Sequence, residues 1–482
     1  MTSLSPHPAD AVEPKTRSVG ATELSWCKAV PGGTGTTVLA LLLSKPPHIP
    51  FLQNALRKLQ ISHPILNSKL RFDPASSSYS YVTPSAAHIE IQPFDVQSTS
   101  QILESCETTT TLSPLHLILE HELNKNSWKD TDPSLDTDLF FASVYALHDD
   151  KWILTLRLHT SACDRASAVT LLRELMEEAK GVGGVERGMH KEMGVSSGIE
   201  EYIPAGQANK PFWAHGMDVL GYSLNSFRFS NLDFKDTVSP RVSCVVRLQL
   251  NAEETGRLVS DCERRETKLF GLLAAAGMIA SHSIKGIPRD QWEKYAVVTL
   301  VDCRSILDPV LSSNHIGFYH SAVLHTHNVK GGENVWELAK RICMSLVNAK
   351  NNKKHFTDMA DINFLMCKAI ENPGVTPSGS LRTSLISIFE DHVIDNSSKM
   401  SQEMGLEDFI GCASVHGVGP SIAIFDTIRD EKLDCACVYP YPLHSREQMQ
   451  ELVDEMRRII LDAGVGFGNS PDENEVDLQY SC

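Results

Sequence analysis

Residues 140–176, FFASVYALHDDKWILTLRLHTSACDRASAVTLLRELM, restrict the fold more tightly than any other stretch of the chain. Phe140 to Leu147 and Trp152 to Leu158 flank the turn residues His148-Asp149-Asp150, and Ile153, Thr155 and Arg157 alternate against Leu154, Leu156 and Leu158. Period-two alternation on both sides of a polar turn predicts adjacent strands. From Ser167 the period changes, and Val169, Leu172, Leu175 and Met176 recur at helical spacing until Gly181-Val182-Gly183-Gly184 stops the helix. A hairpin that feeds a helix through the polar turn 159–167 must build a sheet with a helical layer against it.

The same alternation of strand and helix signals continues elsewhere. Pro50 opens a helix carrying Leu52, Ala55, Leu56 and Leu59, which Pro64 ends. Val242, Cys244, Val246, Leu248 and Leu250 alternate as a strand, followed by a helix whose first turn, Ala252-Glu253-Glu254, suits the helix dipole. The last helix starts at a capping box of Ser445 and Gln448 and carries Met449, Leu452, Val453, Met456, Ile459 and Ile460 before Gly464. Residues 181–240 hold Gly, Ser, Pro and Asn without sustained periodicity, and there we place a crossover between a lobe at 18–180 and a lobe at 241–465. Residues 1–17 and the acidic stretch 466–482 are expected to be disordered tails. The fold class is therefore α/β (α+β), in two lobes.

Charge and composition narrow the function. A net charge of −16, with no basic block longer than Asn351-Asn352-Lys353-Lys354, argues against a nucleic-acid partner. The longest apolar run, Leu269 to Ala280, is too short to span a bilayer and is expected as a buried helix. The first twenty residues contain acids and prolines but no apolar core, so no signal peptide is expected and the localisation read from them is cytoplasmic. The 12 cysteines form no CxxC pair, so a metal site is not implied and reduced, packed thiols are expected. GxSxG, P-loop, HExxH and complete GxGxxG motifs are all missing from the chain.

The turn Leu158-His159-Thr160-Ser161-Ala162-Cys163-Asp164-Arg165 resembles the HHxxxDG or HxxxDG motif of the CoA-dependent acyltransferase superfamily, which includes condensation domains, plant BAHD acyltransferases and alcohol acetyltransferases. The flanking strand and helix, His63-Pro64-Ile65-Leu66, Val301-Asp302-Cys303-Arg304, Asn314 to Ser321 and the final helix follow in the superfamily's order over residues 18–464. The resemblance implies two similar lobes, each a mixed sheet with flanking helices as in chloramphenicol acetyltransferase, enclosing a central channel. It implies no bound cofactor, acyl-CoA as co-substrate, and small-molecule donor and acceptor as partners; it leaves the oligomeric state open. The expected activity is acyl transfer to an alcohol or amine. A catalytically silent relative that binds a thioester or a protein partner is the alternative.

In that superfamily a neutral histidine takes the acceptor's proton. Thr160 stands at its position here, and a threonine hydroxyl is too weakly basic for the task. His159 lies one residue earlier, where strand alternation points it away from the channel unless a bulge re-aims it. Arg165 replaces the motif's glycine. By the same resemblance Asp164 is expected to pair with Arg304 as a structural ion pair. The superfamily's DFGWG loop is best matched by Val415-His416-Gly417-Val418-Gly419, in which Gly417 and Gly419 would allow a tight turn and His416 is a candidate displaced base. His315 and His320, around Gly317-Phe318, are weaker candidates of the same kind. Ser161 and Cys163 lack a placed base and read as packing residues.

Overall fold

A computed structural model describes residues 14–106, 112–130, 135–178, 195–211, 216, 229–395 and 405–465. The tail at 466–482, the glycines 181–184 and residues 1–13 lie outside these. The rest of the expected first tail is not free: Lys15–Ser18 is a strand paired antiparallel with Ser78–Thr83.

The hairpin forms from Phe140–Ala146 and Trp152–His159, with Tyr145 opposite Ile153. It sits inside a five-stranded mixed sheet whose spatial order is Leu406–Val415, Thr34–Leu43, Trp152–His159, Phe140–Ala146 and Ile91–Phe94, parallel only at the last junction. Thr34–Leu43 is buried along nearly its whole length, so it lacks the alternation that betrays a half-exposed strand. The helix after the hairpin spans Arg165–Glu178, two residues earlier than its apolar stripe implies. Its start is set by Asp164, whose Oδ1 accepts the Ser167 N–H at 2.8 Å, an N-cap that the stripe alone does not reveal.

The second sheet runs in the order His320–Lys330, Trp292–Asp302, Arg382–Phe389, Gly419–Arg429, Lys432–Tyr441 and Val242–Leu250, again with both parallel and antiparallel junctions. The apolar run lies in the helix Leu269–Ile284, whose leucines and alanines are core. Among the described residues no single helix is long and apolar enough to cross a membrane.

Lobe and sequence boundary do not coincide. Leu406–Val415, from the 241–465 segment, pairs with Thr34–Leu43 and completes the first sheet, because that central strand would otherwise expose an unpaired apolar edge. An apolar cluster joins the lobes: Val38, Ala40 and Ile153 pack with Ile410 and Cys412 and with Val245, Ala436 and Val438 of the second sheet. Beside it Glu120, on the helix Pro114–Asn124, receives Arg446 Nη2 at 2.9 and 2.8 Å and the Val245 N–H at 2.7 Å. Burial alone would raise the Glu120 pKa, but His116 and Arg446 hold it below the usual range. Arg446 begins the last helix, Arg446–Val465. There the expected capping box is half formed. Ser445 Oγ accepts the Gln448 N–H at 3.2 Å, while the Gln448 side chain donates to the Asp233 carbonyl instead.

Replacing Arg446 with methionine leaves Glu120 buried without its cation. The unfolding free energy in urea is expected to fall by about 3–5 kcal/mol, the cost of breaking a buried pair one-sidedly.

Candidate functional site

The motif turn hangs from the end of Trp152–His159, and alternation separates its side chains. His159 is fully buried on the face turned toward Trp128, whose ring meets it edge-on at 5.0 Å. Its Nδ1 accepts the Ser161 N–H at 3.2 Å and lies 2.7 Å from Ser161 Oγ, which in turn receives Tyr81 Oη–H at 2.8 Å. Burial pushes the His159 pKa down to about 3, so the ring is neutral, but it is sealed in the core. Nε2 has no hydrogen-bond partner among the described residues. Ser161 is occupied between Tyr81 and His159, and burial raises the Cys163 thiol far above its ordinary pKa.

Thr160 points elsewhere. Its hydroxyl donates to the Gly35 carbonyl at 2.6 Å, which leaves it to accept from Thr37 Oγ1 at 2.8 Å. With its one proton committed to a backbone carbonyl, this group ties the turn to the strand Thr34–Leu43.

Asp164 and Arg304 form a buried ion pair, with Nη2 at 2.9 Å from Oδ2 and 3.0 Å from Oδ1. Asp164 also accepts the N–H groups of Ser167 and Tyr319, each at 2.8 Å, and lies 3.0 Å from His320 Nδ1. Burial alone would raise its pKa, but Arg304 and then His320 hold it well below the carboxylate range. Arg304 completes its fork on Asp302 Oδ1 at 2.9 Å and the His315 carbonyl at 3.1 Å. Arg165, in the motif's glycine position, crosses to the second sheet: Nη1 meets Asp426 Oδ1 at 2.9 Å, and its guanidinium lies 4.5 Å over the Phe389 ring.

The Val415–Gly419 loop is pinned by Arg382, which donates to the carbonyls of Ser380, Val415, Gly417 and Pro420. Burial and nearby Arg241 push that guanidinium down to about 9. Gly417 is needed for close approach, since a Cβ there would stand 2.5 Å from the Gly32 carbonyl oxygen; at Gly419 it would meet nothing nearer than 3.9 Å. Neither glycine has the positive φ that a glycine-dependent turn requires. His416 packs its ring on Gly33, whose φ of +98° and lack of a side chain make the space, and its Nδ1 lies 3.0 Å from Ser243 Oγ. Burial lowers its pKa to about 4.

Between the helix Ala21–Ala29 of the first lobe and the second sheet lies a cavity of about 690 Å³. Trp26, Phe318, Val298, Leu300, Leu324 and, from the helix Met359–Glu371, Ile362 and Met366 form apolar walls. His320 is on the wall; His159, Thr160 and His416 are not. The site thus gathers Asp164, Arg304 and His320, and leaves the other histidine candidates in separate packing roles. Residues 239–350 match the family described as the phthiocerol/phthiodiolone dimycocerosyl transferase C-terminus. The trichothecene 15-O-acetyltransferase TRI3 from Fusarium sporotrichioides superposes with a TM-score of 0.66 at 13% identity, over 96% of this chain and 99% of its own. Polyketide synthase associated protein 5 from Mycobacterium tuberculosis does so with 0.63 at 15% identity, over 94% and 99%.

This chain has the fold of the CoA-dependent acyltransferase superfamily. The condensation domain of the Monacolin K polyketide synthase MokA shares it, with a TM-score of 0.59 at 9% identity over 94% of this chain and 99% of that one. No curated protein matches the chain in sequence. The cavity walls were invisible to sequence reasoning because they come from segments far apart in the chain, although His320 carried a signal as a histidine in a landmark stretch.

His159, His325, His327, His416 and His444 all have pKa values lowered to about 3 or 4, chiefly by burial. The unfolded chain therefore takes up protons first, near the ordinary value of about 6.5. Stability is complete above that pH and is lost on acidification, by about 1.4 kcal/mol per pH unit for each such ring. Denaturant midpoints at pH 7.5, 6.5 and 5.5 should fall in that order, and His159→Gln should give a shallower slope than wild type.

Proposed function

We propose that this chain is an acyltransferase that moves an acyl group from an acyl-CoA thioester to an alcohol or amine held in the cavity between the lobes. The observation that carries this reading is the cavity itself. Its volume of about 690 Å³ lies within the range of small-molecule sites. Its apolar walls suit an acyl chain and keep water from competing with the acceptor for the thioester. The superfamily fold and the match of residues 239–350 support the same reading.

A second reading, a silent relative that binds a thioester without turnover, is favoured by Thr160, whose hydroxyl proton is spent on Gly35. The two differ in whether bound thioester is consumed.

Binding comes first in either case. An acyl-CoA at a hundredfold excess over its dissociation constant should stabilise the fold by about 2.7 kcal/mol, seen as a raised thermal midpoint. Ala322→Trp, which projects an indole into the cavity, should abolish that shift. Release of free CoA from pooled acyl-CoAs with pooled alcohols and amines separates the readings: transfer sinks silence, and a thermal shift without any release sinks catalysis.

A further inference from the structure

From the strand His320–Lys330, His320, Ser321, Ala322 and Leu324 line the cavity. His320 differs from the other three by its imidazole ring and by its tether. Its Nδ1 lies 3.0 Å from Asp164 Oδ2. An ionised carboxylate only accepts hydrogen bonds, so Nδ1 carries a proton, and in the neutral ring Nε2 then holds the lone pair. Nε2 has no hydrogen-bond partner among the described residues and is not fully buried, and His320 is part of the cavity wall. The ring is further held by Phe389, edge-on at 5.6 Å, and Phe389 lies under the Arg165 guanidinium, fixed by Asp426.

The geometry points to His320 as the general base of this site, oriented by Asp164 and acting in place of the missing motif histidine; the assignment rests on the acyltransferase reading above. Asp164 and Phe389 are positioning residues. The acceptor's O–H or N–H proton passes to Nε2 as its oxygen or nitrogen bonds to the thioester carbonyl carbon. Collapse of the tetrahedral adduct breaks the C–S bond, sulfur leaves with the electron pair, and the imidazolium returns the proton to it. The products are the acylated acceptor and free CoA thiol, with His320 neutral again. Arg165 gains a purpose here: together with Phe425, which meets Phe389 at 5.5 Å, it holds the ring that braces the base.

The experiment compares wild type, His320→Ala, His320→Gln and His416→Gln in full-length protein. Both His320 variants should release CoA about 10²- to 10⁴-fold more slowly while keeping the acyl-CoA thermal shift, and His416→Gln should retain wild-type turnover. In ¹⁵N-histidine NMR, the signal removed by His320→Gln should report a proton on Nδ1. Wild-type rates in His320→Ala, or a proton on Nε2, overturn the base assignment while leaving the acyltransferase reading intact. Absence of both CoA release and thermal shift in wild type sinks that reading instead, and the tautomer still decides whether His320 presents a lone pair.

Discussion

The buried pairing of Asp164 with Arg304 holds the two lobes in register. Asp164 ends the motif turn of the first lobe and Arg304 follows the strand Trp292–Asp302 of the second, so the buried Asp164 gains its cation only when the lobes close on each other. Such a pair adds little net stability, because each charge loses its hydration, but it makes every other arrangement of the lobes costly. Asp164 also caps the helix Arg165–Glu178 and receives the Tyr319 amide, which places the start of the strand His320–Lys330 against the motif.

That placement brings an imidazole of the second lobe against the motif aspartate. The aspartate of the superfamily motif is structural by resemblance, and here it keeps that task while touching an imidazole from the opposite lobe. Thr160 is a hydrogen-bonded tie to Gly35. His159 stays behind the strand for the reason that adjacent strand residues face opposite sides. No bulge intervenes in its pairing with Thr36.

The cavity is built asymmetrically. Most of its wall comes from the second sheet and the helix Met359–Glu371, and the first lobe contributes Thr22, Ser25, Trp26 and Thr34. Trp26 packs against Phe318 at 5.2 Å, so the aromatic contact that closes one side is itself a contact between lobes. A site assembled this way depends on lobe closure for its walls as well as for its charges.

The sequence by itself determined the hairpin, the helix after it, the amphipathic helix from Arg446 and the superfamily order of landmarks, since each rests on local periodicity or on a short motif. It also determined that Thr160 could not serve as a base and that alternation would turn His159 away. Thr34–Leu43 escaped because a strand buried on both faces has no alternation to read. The membership of Leu406–Val415 in the first sheet, the half-formed cap at Ser445 and the need for Gly417 were decided only by tertiary structure: each depends on a partner far away in the chain. The same holds for His320. Nothing local distinguishes it from His315 or His416, and only the fold brings it to Asp164, 156 residues away, and onto the cavity wall.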